Sequence, residues 1–479
     1  MYDLAVIGGG SAGITFAKFG AQLGARIAVI EADKLGGDCT WTGCVPSKAL
    51  LHAAHVAQTI RTAGTLGIHT SPPQIDFAAV SAHVRTIQAA VYEHDDAPEV
   101  LRRAGATVIE GRARFRNAEE IEVNGEVIRA KHYCICTGSH PKTPTIPGLR
   151  EAGFITNEDI FQMNELPSRL LVVGGGPIGC ELGQAMSRLG SSVTIVQSGA
   201  YLLPKDDRDL GEALAECLRA EGITVHCSTK TERVTMHDGA KHVTMRHQDG
   251  TSSTVVVDQI LVAAGRTPNV SELGLDGAGI HYDAAKGIQV NEYLQTSNPK
   301  VYACGDVIGG YHFTHVAAQE AGTVLRNALF PRQSAQSYAI VPWATFTDPE
   351  VAHVGLNEDE ARAKYGAALR VYRSPWSAND RARTESDTTG FVKILVVGVR
   401  ERIVGAHIIG AGAGDLINTV VTAMAGGVSA STLGGTIGVY PTRALGVKST
   451  AQQSFTRWLE SRIGQTALRT YFKFFGAKG

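Results

Sequence analysis

The run Tyr2-Asp3-Leu4-Ala5-Val6-Ile7-Gly8-Gly9-Gly10-Ser11-Ala12-Gly13 decides how this chain is read. A short apolar strand ends in glycines at 8, 10 and 13, and an alanine-rich helical segment continues to Gly24. A second apolar run, Arg26-Ile27-Ala28-Val29-Ile30, then stops at Glu31. Strand, glycine turn, helix, strand, acid is the order of a dinucleotide-binding half in a doubly wound α/β sheet. Glycines at 8, 10 and 13 permit a tight turn, close approach of a pyrophosphate to a helix N-terminus, and close helix–strand packing. Glu31 is placed to hold ribose hydroxyls.

The same order recurs. Arg169-Leu170-Leu171-Val172-Val173 leads into Gly174-Gly175-Gly176-Pro177-Ile178-Gly179, a helix to about Leu189, and Ser192-Val193-Thr194-Ile195-Val196 ending at Gln197. Gly13 precedes Glu31 by 18 positions, and Gly179 precedes Gln197 by 18. A repeated unit is a stronger signal than either copy and implies two dinucleotides. NAD sites favour an acid at the second strand end and NADP sites supply arginines; Gln197 is neither, and no arginine lies between it and Lys205.

Two further strands run into glycine, Tyr133 to Ser139 with Thr137 and Gly138, and Ile260 to Ala264 with Gly265 and Arg266. A third, in Thr296 to Asp306, ends in Gly305-Asp306. Pro141, Pro144 and Pro147-Gly148 mark a linker near residue 150. After Phe330-Pro331-Arg332 the texture changes to apolar strands and a helical segment, so residues from about 338 onward are read as a separate α+β domain. Cys134 and Cys136 are read as facing opposite sides of their strand, which disfavours a second disulfide.

The chemistry is expected in Gly36-Gly37-Asp38-Cys39-Thr40-Trp41-Thr42-Gly43-Cys44-Val45-Pro46-Ser47-Lys48. Two thiols beside a predicted helix start, with a distorted first turn, can come within bonding range. Pro46 suits an early helical position, where backbone amides lack intrahelical partners. A thiolate there feels the positive end of the helix dipole, which lowers its pKa.

Composition bounds the rest. The 479 residues are 44% hydrophobic with a net charge of −1, a balance that points to neither nucleic acid nor an anionic membrane. Eight cysteines in so long a chain are too sparse for a secreted disulfide scaffold. The acidic residue and strand-like run at the N-terminus read as neither signal nor transit peptide. A cytoplasmic location is expected.

A dithiol motif flanked by two dinucleotide units and closed by Ala303-Cys304-Gly305-Asp306 resembles the flavin-dependent pyridine nucleotide–disulfide oxidoreductases, which include dihydrolipoamide dehydrogenase, glutathione reductase and mercuric reductase. The resemblance spans essentially the whole chain. It implies an FAD domain over 1–150, an NAD(P)H domain over 151–268, a segment completing the FAD site over 269–337, and a C-terminal homodimerisation domain over 338–479. Each active site would be completed by the partner subunit. Cys39 would be the interchange thiol and Cys44 the charge-transfer thiolate nearest the flavin. Lys48 would sit near the flavin N5, paired with Glu181. Asp306 would bind ribityl or ribose oxygens, and Thr137 and Gly138 would lie along the FAD. Asp38 stands where most members carry threonine.

The largest departure is C-terminal. Where disulfide reductases of this group carry His-Pro-Thr-x-x-Glu, this chain reads Tyr440-Pro441-Thr442-Arg443-Ala444-Leu445. A phenol with a pKa of about 10 is a poor general base near neutrality, though it can donate a hydrogen bond or touch a metal. Tyrosine there is more like mercuric reductase, yet that enzyme's C-terminal cysteine pair is absent. The expected acceptor is therefore a disulfide, a soft metal or another thiol-reactive species. The alternatives are a diaphorase, or a metal or quinone reductase, using flavin directly, and a non-catalytic redox-sensing flavoprotein; conventional dihydrolipoamide dehydrogenation is disfavoured. His52 and His55 are weaker candidates for a substitute base, and Arg381 and Arg383 for anion binding. The basic, aromatic tail Arg457 to Phe475 is read as an arm packed on the dimer, with a membrane surface or another partner as the alternative.

Overall fold

Near-continuous apolar strands explain the first sheet. In the computed structural model, which describes residues 1–476, Tyr2–Ile7 pairs in parallel with both Ile27–Glu31 and Ala130–Ile135. Val301–Ala303 and Thr107–Glu110 close the two edges, giving five parallel strands. Alternate side chains feed two cores. Leu4 and Val6 pack with Phe16, Ile27 and Val29 on one face, while Ala5 and Ile7 pack with Ala28, Ile30 and Tyr133 on the other. Burial of both faces is what a parallel sheet requires. The second unit of the repeat builds a four-stranded parallel sheet, in the order Thr224–His226, Ser192–Val196, Arg169–Val173 and Gln259–Val262.

Cys134, Cys136 and Cys304 all face the same core, with Cys134 Sγ 3.7 Å from Cys304 Sγ. This corrects the reading of opposite faces: residues two apart in a strand share a side. All three remain free thiols.

The chain divides into two units, residues 1–198 with 223–337, and 199–222 with 338 onward. The second is built on a five-stranded antiparallel sheet, ordered Pro342–Thr345, Glu350–Gly355, Arg402–Gly410, Phe391–Val397 and Leu369–Pro375. The helix Arg208–Ala220 belongs to this unit although it interrupts the first in sequence. A buried cation helps attach it. Lys393, 2% exposed, puts its Nζ 2.6 Å from Asp207 Oδ2, 2.8 Å from Asp209 Oδ1 and 3.3 Å from Glu358 Oε2. Burial alone would lower its pKa, but Asp207 and Asp209 outweigh that and raise it. Among the described residues, no helix is long and apolar enough to cross a membrane.

Replacing Lys393 strands Asp207 in the interior, and breaking a buried pair costs about 3–5 kcal/mol where a surface pair costs about 0–1. Lys393→Ala should lower the denaturant midpoint of the second unit, followed by Trp343 and Trp376 fluorescence, whereas Lys364→Ala on the surface should leave it unchanged.

Candidate active site

The dithiol segment is built directly on the first glycine turn. Gly36 N donates to Gly9 O at 2.9 Å, and a Cβ added to Gly37 would stand 2.9 Å from the Gly10 Cα. Gly37 itself holds φ at +54°, so close approach and backbone geometry both call for glycine. Gly37–Trp41 forms one helical turn carrying Cys39, and Cys44 is the first residue of the helix Cys44–Thr62. Pro46 is the third residue of that helix, where its missing amide leaves no intrahelical bond unmade.

Several polar groups hold the loop. Trp41 Nε1 donates to Leu35 O at 2.8 Å, Gln88 Nε2 to Trp41 O at 2.6 Å, and Asn157 Nδ2 to Thr42 O at 2.9 Å. Thr40 Oγ1 donates to Asp96 Oδ2 at 2.6 Å; burial raises the pKa of Asp96, and this hydrogen bond partly offsets it.

Both cysteines are free thiols, Cys39 half-buried and Cys44 exposed. Their proton affinities diverge. The hydrogen bond from Cys39 is the largest cause drawing Cys44 down to about 6; burial opposes it, while Thr314 and the Lys48 charge reinforce it. Cys44 Sγ lies 3.4 Å from Thr314 Oγ1. The same contact, with burial, pushes Cys39 upward. The reduced pair at neutral pH is thus a thiolate at Cys44 beside a protonated thiol at Cys39.

Lys48, one turn into the helix, places Nζ 2.8 Å from Glu181 Oε2. Glu181 is 5% exposed and sits on Pro177–Leu189, the helix that follows the second glycine turn. The expected pair therefore forms, and it ties the dithiol helix to the second unit of the repeat.

The two glycine turns fit dinucleotides by the same test. A Cβ on Gly8 would meet Cys136 O at 2.3 Å and one on Gly13 would meet Gly8 O at 2.1 Å, whereas Gly10 has nothing nearer than Gly37 Cα at 3.9 Å. At the second turn Gly174 would meet Ala263 O at 2.3 Å and Gly179 would meet Gly174 O at 1.9 Å, while a Cβ on Gly176 would meet nothing within 4 Å. In each turn the outer glycines close the fold and the middle one faces open space, where a phosphate can approach the backbone. Glu31 accepts from Gly9 N at 2.6 Å and Asp33 N at 2.8 Å, and Gln197 Oε1 accepts from Gly175 N at 3.1 Å. Both strand-end side chains thus brace the neighbouring glycine turns through backbone amides.

Arg266 is a residue that sequence reasoning did not single out for a role. Its side chain is 9% exposed; Nη2 lies 2.7 Å from Asp38 Oδ2, and Nε donates to Ser139 Oγ at 2.7 Å and lies 3.5 Å from Asp306 Oδ2. Ser139 Oγ donates to Asp306 Oδ2 at 2.5 Å. The signal was available: two acids, Asp38 and Asp306, need a cation, and Arg266 follows Gly265, whose φ of +111° turns the chain at the strand end. Thr137 Oγ1 donates to Asn269 O at 2.7 Å, and Asn269 N to Gly138 O at 3.0 Å, closing the same corner.

In the other unit, Tyr440 is 71% exposed and its hydroxyl donates to Asp380 Oδ2 at 3.2 Å. Arg443 pairs with Glu385 and Asp387, and Leu445 packs where a Cβ on Gly438 would stand 2.7 Å away. Arg381 and Arg383 pair with Glu385 and Asp380, so they brace this segment rather than present free charges. His52 and His55 are exposed on the dithiol helix.

Alkylation of Cys44 in the reduced enzyme, followed by site-resolved mass spectrometry, should rise with pH through an inflection near 6. Lys48→Gln removes a cation that favours the thiolate and Cys39→Ala removes the main hydrogen bond, so each should move the inflection upward. An unmoved inflection in both variants would contradict this electrostatic account.

Residues 2–321 match the family described as Pyridine nucleotide-disulphide oxidoreductase, and residues 341–451 match its dimerisation domain. A mercuric reductase of Bacillus cereus is 34% identical over 447 residues, covering 93% of this chain and 70% of that protein. A dihydrolipoyl dehydrogenase of Thermus scotoductus is 36% identical over 468 residues, covering 94% and 97%. Among solved structures, the HOCl-induced flavoprotein disulfide reductase RclA from Escherichia coli superposes with a TM-score of 0.83 at 29% identity, covering 94% of this chain and 99% of that one. With its paired dinucleotide turns, its dithiol and its dimerisation domain, this chain belongs to the pyridine nucleotide–disulphide oxidoreductases, FAD- and NAD(P)H-dependent enzymes of α/β fold.

Proposed function

We propose that this enzyme passes electrons from NAD(P)H through Cys39 and Cys44 to a soft metal ion, Hg(II) or Cu(II), in preference to dihydrolipoamide. The observation that carries the reading is the protonated, raised-pKa thiol at Cys39 in a chain whose C-terminal motif offers Tyr440 and Leu445 in place of histidine and glutamate. Thiol–disulfide exchange by Cys39 would need a base to take its proton. A soft cation removes that need, because coordination to sulfur itself expels the proton. Similarity to mercuric reductases supports the reading, as does a Cu(II) complex of RclA that superposes at a TM-score of 0.81 and 28% identity.

On this reading residues 1–150 and 269–337 hold FAD, with Gly8, Gly10, Gly13, Glu31, Thr137, Gly138 and Asp306 around it. Residues 151–268 hold NAD(P)H through Gly174, Gly176, Gly179, Gln197 and Gly265, and residues 338–479 form the homodimer. When bound, FAD supplies the coupling between a hydride donor and a disulfide. The protein's part is proton and charge control. Lys48 and Glu181 hold a fixed charge pair at the start of the dithiol helix, Cys44 keeps its negative charge, and Cys39 meets the acceptor. One NAD(P)H delivers two electrons and one proton, converting the disulfide to a thiol at Cys39 and a thiolate at Cys44. The pair then gives two electrons to one Hg(II), or one to each of two Cu(II), and the disulfide re-forms with release of the Cys39 proton. Tyr440 is the phenol offered to the bound ion, as donor or weak ligand.

An acceptor panel with both nicotinamides tests this. Mercuric and cupric ions presented in excess thiol should turn over, and dihydrolipoamide oxidation at neutral pH should fall at least about a hundredfold below that of a histidine-bearing dihydrolipoamide dehydrogenase, the size of a missing general base. Cys39→Ser and Cys44→Ser should abolish metal turnover while NAD(P)H still bleaches the flavin. Full metal turnover in both serine variants would replace the dithiol route with direct transfer from flavin. Tyr440→His should raise disulfide exchange.

A further inference from the structure

The helix Arg462–Phe475 lies wholly beyond residues 341–451, the span of the family's dimerisation domain. It is a well-formed helix: Ser461 Oγ accepts from Gly464 N at 3.0 Å to cap its start, and the buried Gly464 seats it on the preceding helix Ala444–Glu460. With successive residues about 100° apart, Ile463, Ala467, Tyr471, Phe474 and Phe475 gather on one side, extended by Leu468 and Phe472. Arg462, Arg469 and Lys473 gather on the opposite side with Gln465, Thr466 and Thr470. No acidic residue occurs anywhere in the helix.

The apolar side faces outward. Ile463 is 79% exposed, Phe474 69% and Phe475 76%. Tyr471 contacts Phe475 and Phe472 with ring centroids 5.4 and 5.5 Å apart, so the aromatic side chains pack on one another. Phe455 and Trp458, stacked at 6.3 Å on the preceding helix and both exposed, add to the aromatic content beside it. A contiguous exposed aromatic face marks an interaction site.

We infer that this helix lies in the interface of an anionic lipid membrane, as a peripheral anchor for the enzyme. The argument is charge complementarity joined to shape. A helix of about 21 Å is too short to span but long enough to lie flat. Its aromatic side would enter the boundary between headgroups and acyl chains, and its three cations would remain at the level of anionic headgroups. A helix evolved to pack on protein commonly carries acids as well as bases; an all-basic polar face is matched to a surface of one sign. With −1 for the whole chain and +3 in this helix, the remainder carries a net charge of −4, so any attraction to an anionic surface is local to this helix.

Flotation of the full-length holoenzyme with vesicles is the test. It should co-float with vesicles of phosphatidylcholine containing phosphatidylglycerol, remain behind with phosphatidylcholine alone, and be released by high salt. Arg462→Gln/Arg469→Gln/Lys473→Gln should weaken binding roughly a hundredfold, the loss of three headgroup-level charges. Phe474→Ser/Phe475→Ser should abolish it. A chain ending at Glu460 should stay dimeric by light scattering, keep its NAD(P)H-driven turnover and no longer float. Failure of the full-length protein to float with the anionic vesicles, equal flotation with neutral ones, or a truncated chain that falls apart into monomers would overturn the inference, the last by assigning the helix to the partner subunit.

Discussion

The contact between Gly37 and Gly10 is the constraint on which the site depends. Two backbones meet there with no room for a side chain on Gly37, and the Gly36 amide seals the contact by donating to Gly9. The redox pair is therefore held at a set distance from the turn that receives a pyrophosphate. Positioning of this kind is most of what a protein contributes when a cofactor does the electron chemistry. From the other direction, Glu181 reaches the dithiol helix through Lys48. Cys39 and Cys44 are thus referenced to both glycine turns at once, which explains why the site tolerates a dithiol segment with few apolar anchors of its own.

Three of the buried charges in this chain are answered by opposite charges. Lys393 carries its ammonium into the second unit against three carboxylates, and Glu181 and Arg266 are each nearly enclosed with a partner in reach. The cysteines use the same rule differently. Proximity makes one sulfur anionic by making the other keep its proton, so the pair stores one charge and one proton side by side. What removes that proton decides what the enzyme can reduce.

The glycine pattern carried the fold because its steric demands are local: two strands, a turn and a helix close within the 30 residues from Tyr2 to Glu31, and only glycine closes them. Lys48 and Glu181 were legible for a different reason, through a family resemblance that placed both at helix starts. Arg266 was less legible: two acids in need of a cation were in the sequence, but pairing them with this arginine requires contacts across long separations, more than two hundred positions for Asp38. The helix Arg208–Ala220 was equally silent: its membership in the C-terminal unit rests on tertiary contacts that periodicity does not encode. The parity of Cys134 and Cys136, by contrast, was written in the sequence and needed only the period of a strand.

The ion pair between Asp38 and Arg266 also constrains how this sequence can change. A threonine at position 38 would look like a return to the family's usual residue. Here it would withdraw the nearest carboxylate from a guanidinium whose side chain is 9% exposed, leaving it to Asp306 at 3.5 Å and to the charge of Glu158. Arg266 would then be drawn toward Asp306 and Ser139, disturbing the corner expected to meet the cofactor. A change at position 38 is therefore felt at Asp306, because Arg266 links the two acids and cannot lose one without leaning on the other.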